Sequence, residues 1–167
     1  MILVVDVDYR EEGAAVAGVT FRNWNNSQPE AIYLSSLHTI ADYEPGAFYK
    51  RELPCILTLI EEHAIKPSLI VIDGYVHLGA DRKPGLGAHL YQALRQKIAI
   101  IGVAKKSFKD TPTGTEIFRG TSHKPLFVTS LGITQAEAKS LIVSMHGEHR
   151  VPTLLKQVDS VCRKASL

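Results

Sequence analysis

The sequence predicts an α/β protein in which a mixed five-stranded sheet is flanked by helices. Three strand patterns joined by short polar turns lie within residues 2–38, which is typical of an antiparallel meander. Strand and helix patterns then alternate up to about residue 105. Alternation of this kind favours parallel strands joined by right-handed crossovers.

Residues 2–9 form the first predicted strand. The run is dense in β-branched and apolar side chains, as in a strand buried on both faces. Alternation places Leu3 and Val5 on one face, and Val4 and Asp6 on the other. A buried carboxylate is costly unless it is paired or holds a metal ion. Asp6 therefore either has a cation for a partner or lies where the strand ends and meets solvent.

Two further strand patterns complete the meander. They occupy residues 13–23 and 30–38 and are separated by a cluster of turn residues at 23–29. The short connections predict an antiparallel arrangement with residues 2–9 innermost.

A helix is predicted from the break at Pro45 and Gly46 to about His63. Pro54 should bend this helix or mark a late start. Glu52 interrupts an otherwise apolar face. The side chains that share this face are Phe48, Glu52, Cys55, Ile56 and Leu59.

The second half alternates strands and helices. A strand at 69–72 ends at Asp73 and Gly74, and a strand at 98–104 ends at Lys105. A meander followed by such parallel strands is the ribonuclease H-like layout. The other predicted elements are a helix at 85–96, a late hairpin at 116–118 and 125–129, a helix at 135–145 capped by Thr134, and a helix at 152–164.

Length and composition indicate one domain spanning residues 1–167. The net charge of +2 is compatible with a nucleic-acid partner, but simple solubility explains it as well. Two cysteines are expected to stay reduced in a cytoplasmic protein. No apolar run approaches the ~20 residues of a membrane span, so no membrane partner is expected.

The carboxylates of Asp6, Glu52 and Asp73 are the candidate catalytic groups. Ligands of open α/β sheets gather beyond the carboxyl ends of the strands. Two carboxylates about 4 Å apart repel by about 4 kcal/mol at moderate dielectric, and a divalent cation reverses that sign. Mg²⁺ or Mn²⁺ prefers such ligands and promotes phosphodiester hydrolysis. The alternative is three unrelated acids: a strand-end aspartate, a solvated helix glutamate and an Asp-Gly turn.

Several short motifs occur in order along nearly the whole chain. Together they resemble the endonuclease V family (deoxyinosine 3′ endonucleases), in a shortened and divergent form. The motifs are Asp6-Val7-x-Tyr9, Tyr43-x-Pro45-Gly46 leading into Arg51-Glu52, Ile72-Asp73-Gly74, Gly87-Ala88-His89-Leu90, Gly102-Val103-Ala104-Lys105, 124–128, and Arg150-Val151-Pro152.

The resemblance implies a metal-dependent nuclease that acts near deaminated bases, chiefly inosine, in DNA or RNA. It implies that Asp6, Glu52 and Asp73 are the catalytic residues and the ligands of Mg²⁺ or Mn²⁺. Tyr43 takes the place of the family's wedge tyrosine, and Lys105 is expected to contact phosphate. The substrate-binding residues implied in this way are Tyr43, Pro45, Gly46, Gly74 and Lys105.

The sequence also departs from the family pattern. The loop after Asp73 is altered, acidic Asp42 and Glu44 flank Tyr43, and the turn at 129–133 lacks the family's histidine. Asp6 lies nearer the start than in most members. These departures predict altered specificity and leave a second hypothesis, a non-catalytic or weakly active nucleic-acid-binding relative.

Overall fold

The computed structural model describes residues 1–45 and 47–167. Helices and strands follow one another in the order that the sequence predicts, except for a small two-stranded sheet at 77–84 that was not predicted. The elements are β1 (Ile2–Arg10), β2 (Gly13–Phe21), β3 (Ala31–Leu37), α1 (Tyr49–Glu62), β4 (Leu69–Asp73), β5 (His77–Leu78), β6 (Lys83–Pro84), α2 (Leu86–Ala93), β7 (Ala99–Ala104), β8 (Glu116–Ile117), β9 (Leu126–Leu131), α3 (Gln135–Ser144) and α4 (Thr153–Lys164).

The strands of the main sheet lie in the order β3-β2-β1-β4-β7-β9-β8. Strands β1, β2 and β3 form the predicted antiparallel meander, and β1, β4 and β7 are parallel. The expected count of five strands is wrong, because the sheet has seven within the described residues. The late hairpin joins it: β9 pairs antiparallel with β7, and β8 pairs with β9. This pairing satisfies backbone groups that an unpaired β7 edge would expose.

Helices cover both faces of the sheet. On one face, Leu3 and Ile72 pack against α1 and α2. On the other, Val4 and Val71 pack against α3 and α4. The alternation predicted for residues 2–9 is therefore confirmed, and Asp6 has the register of the face that α4 covers.

The helix boundaries follow from local chemistry. Helix α1 includes Pro54 in its second turn. Helix α3 begins after Thr134, whose side-chain oxygen accepts a hydrogen bond from the Glu137 N–H at 3.2 Å, as predicted. In the part of the chain that the structure describes, no helix combines the length and apolarity needed to cross a membrane.

Buried and half-buried arginines anchor α4 at both ends. Near its start, Arg119 is only 5% exposed and donates to main-chain oxygens of the segment 145–150, at 2.6 Å for both Met145 and His149. Near its end, Arg10 donates to the Cys162 carbonyl oxygen at 2.8 Å. Helix α4 is thereby fixed against β1, which determines which side chains face the end of the sheet.

Candidate functional site

Asp6 and Asp73 lie at the carboxyl ends of two adjacent parallel strands. The last pair in register between β1 and β4 is Val5 with Ile72, and each aspartate follows that pair directly. Alternation gives both aspartates the register of the face that packs against α4. The Val7 N–H donates to Oδ1 of Asp6 at 2.9 Å.

Glu52 reaches the same end of the sheet from the opposite face. It lies in the first turn of α1, which packs on the face of Leu3 and Ile72. A cavity of about 10 Å³ is bordered by Asp6, Glu52 and Asp73 together with apolar side chains. The three predicted carboxylates therefore border one cavity, although they come from two faces of the sheet.

The protonation behaviour of these acids reflects their burial and their mutual repulsion. Burial raises the pKa of Asp6 from 3.8 to about 8, and the charge of Asp73 adds to the effect. Burial followed by the charge of Asp73 raises the pKa of Glu52 from 4.5 to about 7. Asp73 is partly exposed to solvent. Burial of its carboxyl group nevertheless raises its pKa, and the positive charge of Lys105 lowers it by a smaller amount. Each carboxylate is thus costly to ionise in the absence of a cation.

Asp159 is an acidic residue of this site that sequence analysis missed. It lies on α4 beside the buried Val158 and Cys162, and it contributes to the raised pKa values of both Asp6 and Asp73. The Nε of Arg163 contacts its Oδ1 at 3.1 Å. The signal was available in the sequence, because Asp159 borders an apolar helix face just as Glu52 interrupts one.

The donor set fits a hard divalent cation. Carboxylate oxygens are the ligands that Mg²⁺ and Mn²⁺ prefer, and here they come from β1, α1, β4 and α4. Among the described residues, no three His, Cys, Asp or Glu side chains are close enough to form a ready-made metal site.

Lys105 and Gly74 also lie at this end of the sheet. Lys105 follows β7 and borders a second small cavity, of about 20 Å³, together with Asp6 and Asp73. Its carbonyl oxygen accepts a hydrogen bond from Arg150. Gly74 has φ +134°, a conformation that favours glycine, and its N–H donates to the Val103 carbonyl at 3.0 Å. The sharp turn after Asp73 therefore depends on glycine.

The predicted wedge tyrosine lies on the surface beside Phe48. Tyr43 is 57% exposed, and its ring centroid is 5.5 Å from that of Phe48. Pro45 borders an open cleft with Lys50 and His89 rather than the acidic cavity. Gly46, also predicted to bind substrate, lies outside the described residues.

A pocket of about 490 Å³ adjoins Glu52, Asp73 and Gly74. Aromatic side chains supply much of its lining, and the backbone turn at Gly74 forms part of its border. These aromatic residues are Phe48, Tyr49, Tyr75 and Phe108. Aromatic side chains of this kind can stack on a flat ring. The border of the pocket next to the carboxylates is polar.

Two histidines, His77 and His89, do not border the acidic cavity. His89 stacks on Tyr49 with ring centroids 3.6 Å apart, and burial lowers its pKa. His77 lies near Arg82 in a separate cavity of about 430 Å³. Neither histidine is placed as a ligand beside Asp6.

The sequence matches one known family over its full length. A family model described as endonuclease V matches residues 1–167. The chain belongs to the endonuclease V family.

A relative of the same family is found in Streptomyces avermitilis. That endonuclease V is 31% identical over 144 residues, which cover 74% of this chain and 61% of the relative. Another endonuclease V, from Nocardia farcinica, is 28% identical over 143 residues, covering 74% of this chain and 62% of that protein. The matched region thus spans about three fifths of the length of these relatives.

Solved structures of endonuclease V share the fold. The crystal structure from Streptomyces avermitilis superimposes with a TM-score of 0.75 at 25% identity, covering 98% of this chain and 79% of the other. Endonuclease V of Ciona intestinalis, in complex with a 23mer DNA containing an inosine followed by a ribo-adenosine, gives a TM-score of 0.75 at 18% identity, covering 98% and 83%. The predicted ribonuclease H-like class of fold is confirmed.

Proposed function

We propose that this protein is a metal-dependent endonuclease that hydrolyses a phosphodiester bond near a deaminated base, chiefly inosine, in DNA or RNA. Residues 1–167 would act as one domain in the cytoplasm. The observation that carries the proposal is the convergence of Asp6, Glu52 and Asp73 on one cavity at the carboxyl end of the sheet.

In this proposal, Asp6, Glu52 and Asp73 hold Mg²⁺ or Mn²⁺, and Asp159 supports them from α4. A bound divalent cation would polarise the phosphate and lower the pKa of an attacking water. Lys105 lies beside Asp73 and can donate to a phosphate oxygen. The raised pKa values of the acids are consistent with a site that needs a cation to be fully ionised.

The pocket of about 490 Å³ supports a role in holding an extruded base. Extruding a base costs a few kcal/mol of stacking, which a fitted aromatic pocket offsets. Tyr75 and Phe108 border this pocket near Asp73, so a base held there would lie beside the carboxylates. Tyr43 would separate neighbouring bases, and Pro45, Gly46 and Gly74 would shape the passage.

The test is a cleavage assay on matched oligonucleotides, with and without one inosine, as single- and double-stranded DNA and RNA. Mg²⁺, Mn²⁺ and chelator are compared. We expect cleavage only with a metal ion and strongly reduced cleavage in Glu52→Gln, and the matched strands measure how far inosine directs the cut. Glu61→Gln is the matched control, because Glu61 is an exposed residue on the same helix and its loss changes net charge equally. Equal cleavage by the two variants would contradict the proposal.

A second candidate is a nucleic-acid-binding relative with little or no catalysis. It is favoured by the spacing of the acids, because the described residues contain no group of three potential metal ligands. It is also favoured by the altered loop that places Asp81 beside Arg82 and by the missing histidine at 129–133. Inosine-dependent binding in the absence of any cleavage with either metal would support this candidate.

A further inference from the structure

We propose that Arg51 binds a phosphate of the nucleic-acid backbone on the side of the acidic cavity away from Lys105, and that Tyr9 holds its guanidinium in place. The inference rests on the proposed function, because it concerns how the same site would bind its substrate. Three observations carry it: a stacked guanidinium, its lack of protein partners, and its place along the end of the sheet.

The guanidinium of Arg51 lies over an aromatic ring. Its Cζ is 4.1 Å from the centroid of the Tyr9 ring, which is within the range of a cation–π interaction. Tyr9 follows Asp6 on β1, and Arg51 precedes Glu52 on α1. The stack therefore joins the two elements that carry the first two carboxylates.

The hydrogen-bonding groups of this stack lack protein partners. Within the described residues, Nε of Arg51 and Oη of Tyr9 are both buried without a hydrogen-bond partner. Arg10 and Arg150 behave differently, because each donates to main-chain carbonyl oxygens. Arg119 also has a buried Nε without a partner, but its two Nη groups donate to main-chain carbonyl oxygens. An unmet buried donor costs about 1–3 kcal/mol. A side chain that is held in position at such a cost, with no hydrogen-bond partner for this nitrogen among the described residues, is a candidate for binding a ligand.

The order of strands places Arg51 and Lys105 on two sides of the carboxylates. Across the sheet, β1 carries Asp6 and Tyr9, β4 carries Asp73, and β7 leads into Lys105. A phosphodiester backbone that crosses this end would meet Lys105 beyond β7 and Arg51 beyond β1. Arginine suits the position because its planar fork bonds two oxygens of one phosphate.

The test is a binding titration in chelator, so that neither cleavage nor metal affinity contributes. An inosine-containing single-stranded oligonucleotide is titrated at several salt concentrations. Loss of one phosphate contact should reduce the slope of log affinity against log salt by about 0.7. We expect this reduction for Arg51→Ala and Tyr9→Leu. Tyr9→Phe should restore the wild-type slope, because it keeps the ring.

Lys66→Ala is the control, since Lys66 is exposed and precedes β4 at the opposite end of the sheet. It removes one positive charge, as Arg51→Ala does, and should leave the slope unchanged. Arg51→Lys is the variant to use if Arg51→Ala does not fold. It should keep most of the slope of log affinity against log salt but raise KM for cleavage. An unchanged slope in Arg51→Ala, or an equal loss in Lys66→Ala, overturns the inference. If the wild-type protein binds with the expected slope but never cleaves, the proposed function is overturned and the inference about Arg51 is not.

Discussion

The side chain of Asp159 on α4 lies near the carboxyl group of Asp6 on β1 and helps to raise the pKa of Asp6. Burial is the main reason that the pKa of Asp6 is raised to about 8, followed by the charge of Asp73 and then by Asp159. The two residues are far apart in sequence and meet because α4 packs against β1, where Arg10 donates to the Cys162 carbonyl oxygen. The acidic site thus depends on α4, which comes after all the strands in the sequence.

Removing one charge should separate the site's role in catalysis from its effect on stability. Asp73→Asn is expected to weaken metal binding and abolish cleavage. In chelator, its melting temperature should be unchanged or higher, because the substitution relieves repulsion with Asp6 and Glu52. Thermal melts with and without Mg²⁺ check this. Strong destabilisation of Asp73→Asn in chelator would falsify the electrostatic explanation.

Asp159→Asn should behave like loss of a ligand or supporting acid. We expect weaker binding of Mg²⁺ or Mn²⁺ and strongly reduced cleavage, with the fold retained. Calorimetric titration of the metal ions measures the first effect. Glu61→Gln serves again as the control for loss of one exposed acidic charge, and wild-type metal affinity in Asp159→Asn would remove Asp159 from the site.

The stability of the metal-free protein should fall as pH rises. Asp6 and Glu52 have folded-state pKa values of about 8 and about 7, above their ordinary values of 3.8 and 4.5. A group whose pKa is raised on folding stabilises the fold fully when the pH is below its ordinary pKa. That contribution is lost as the pH rises through the pKa of the folded state. Melting temperatures in chelator should therefore decrease from about pH 5 to about pH 8.

Asp6→Asn should flatten this pH dependence, because it removes the group with the largest pKa shift. Mg²⁺ at the higher pH should recover much of the lost stability, since it binds the ionised acids. A melting temperature that rises over the same range in chelator would contradict the assignment of buried, mutually repelling acids.

Arg119→Met should destabilise the protein and disturb the site indirectly. The substitution keeps much of the side chain's volume but leaves buried carbonyl oxygens of the segment 145–150 without their donor. We expect a loss of about 2–4 kcal/mol in the free energy of unfolding by denaturant titration. Arg22→Met, at an exposed ion pair with Glu30, should cost at most about 1 kcal/mol.

Nucleic-acid binding is predicted to be weak, strongly salt-sensitive and poor at discriminating inosine. The loop after Asp73 is altered, and Asp42 and Glu44 flank Tyr43. Glu44 pairs with Lys50 at 2.8 Å, which occupies a cation that could otherwise contact phosphate. Titrations of matched oligonucleotides with and without inosine at two salt concentrations measure this. Tight, inosine-selective binding at the higher salt would show that other residues supply the recognition.

Local patterns in the sequence were enough to predict most elements and the placement of Asp6 and Asp73. Strand alternation assigns each side chain to a face, and parallel neighbours bring their carboxyl ends together. Glu52 was found because it interrupts an apolar helix face. The additional strands β8 and β9 were predicted as a hairpin, but their attachment to β7 depends on long-range backbone pairing that periodicity does not encode.

The sequence by itself determined which side chains lie at strand ends and on helix faces, because these follow from local periodicity. Only the tertiary structure decided which of them meet. Asp159 approaches Asp6 because the packing of α4 fixes its rotation against β1. The guanidinium of Arg51 lies over Tyr9 because α1 crosses the end of the same strand. Contacts of this kind depend on the angle and depth at which a helix packs, which the complete core sets.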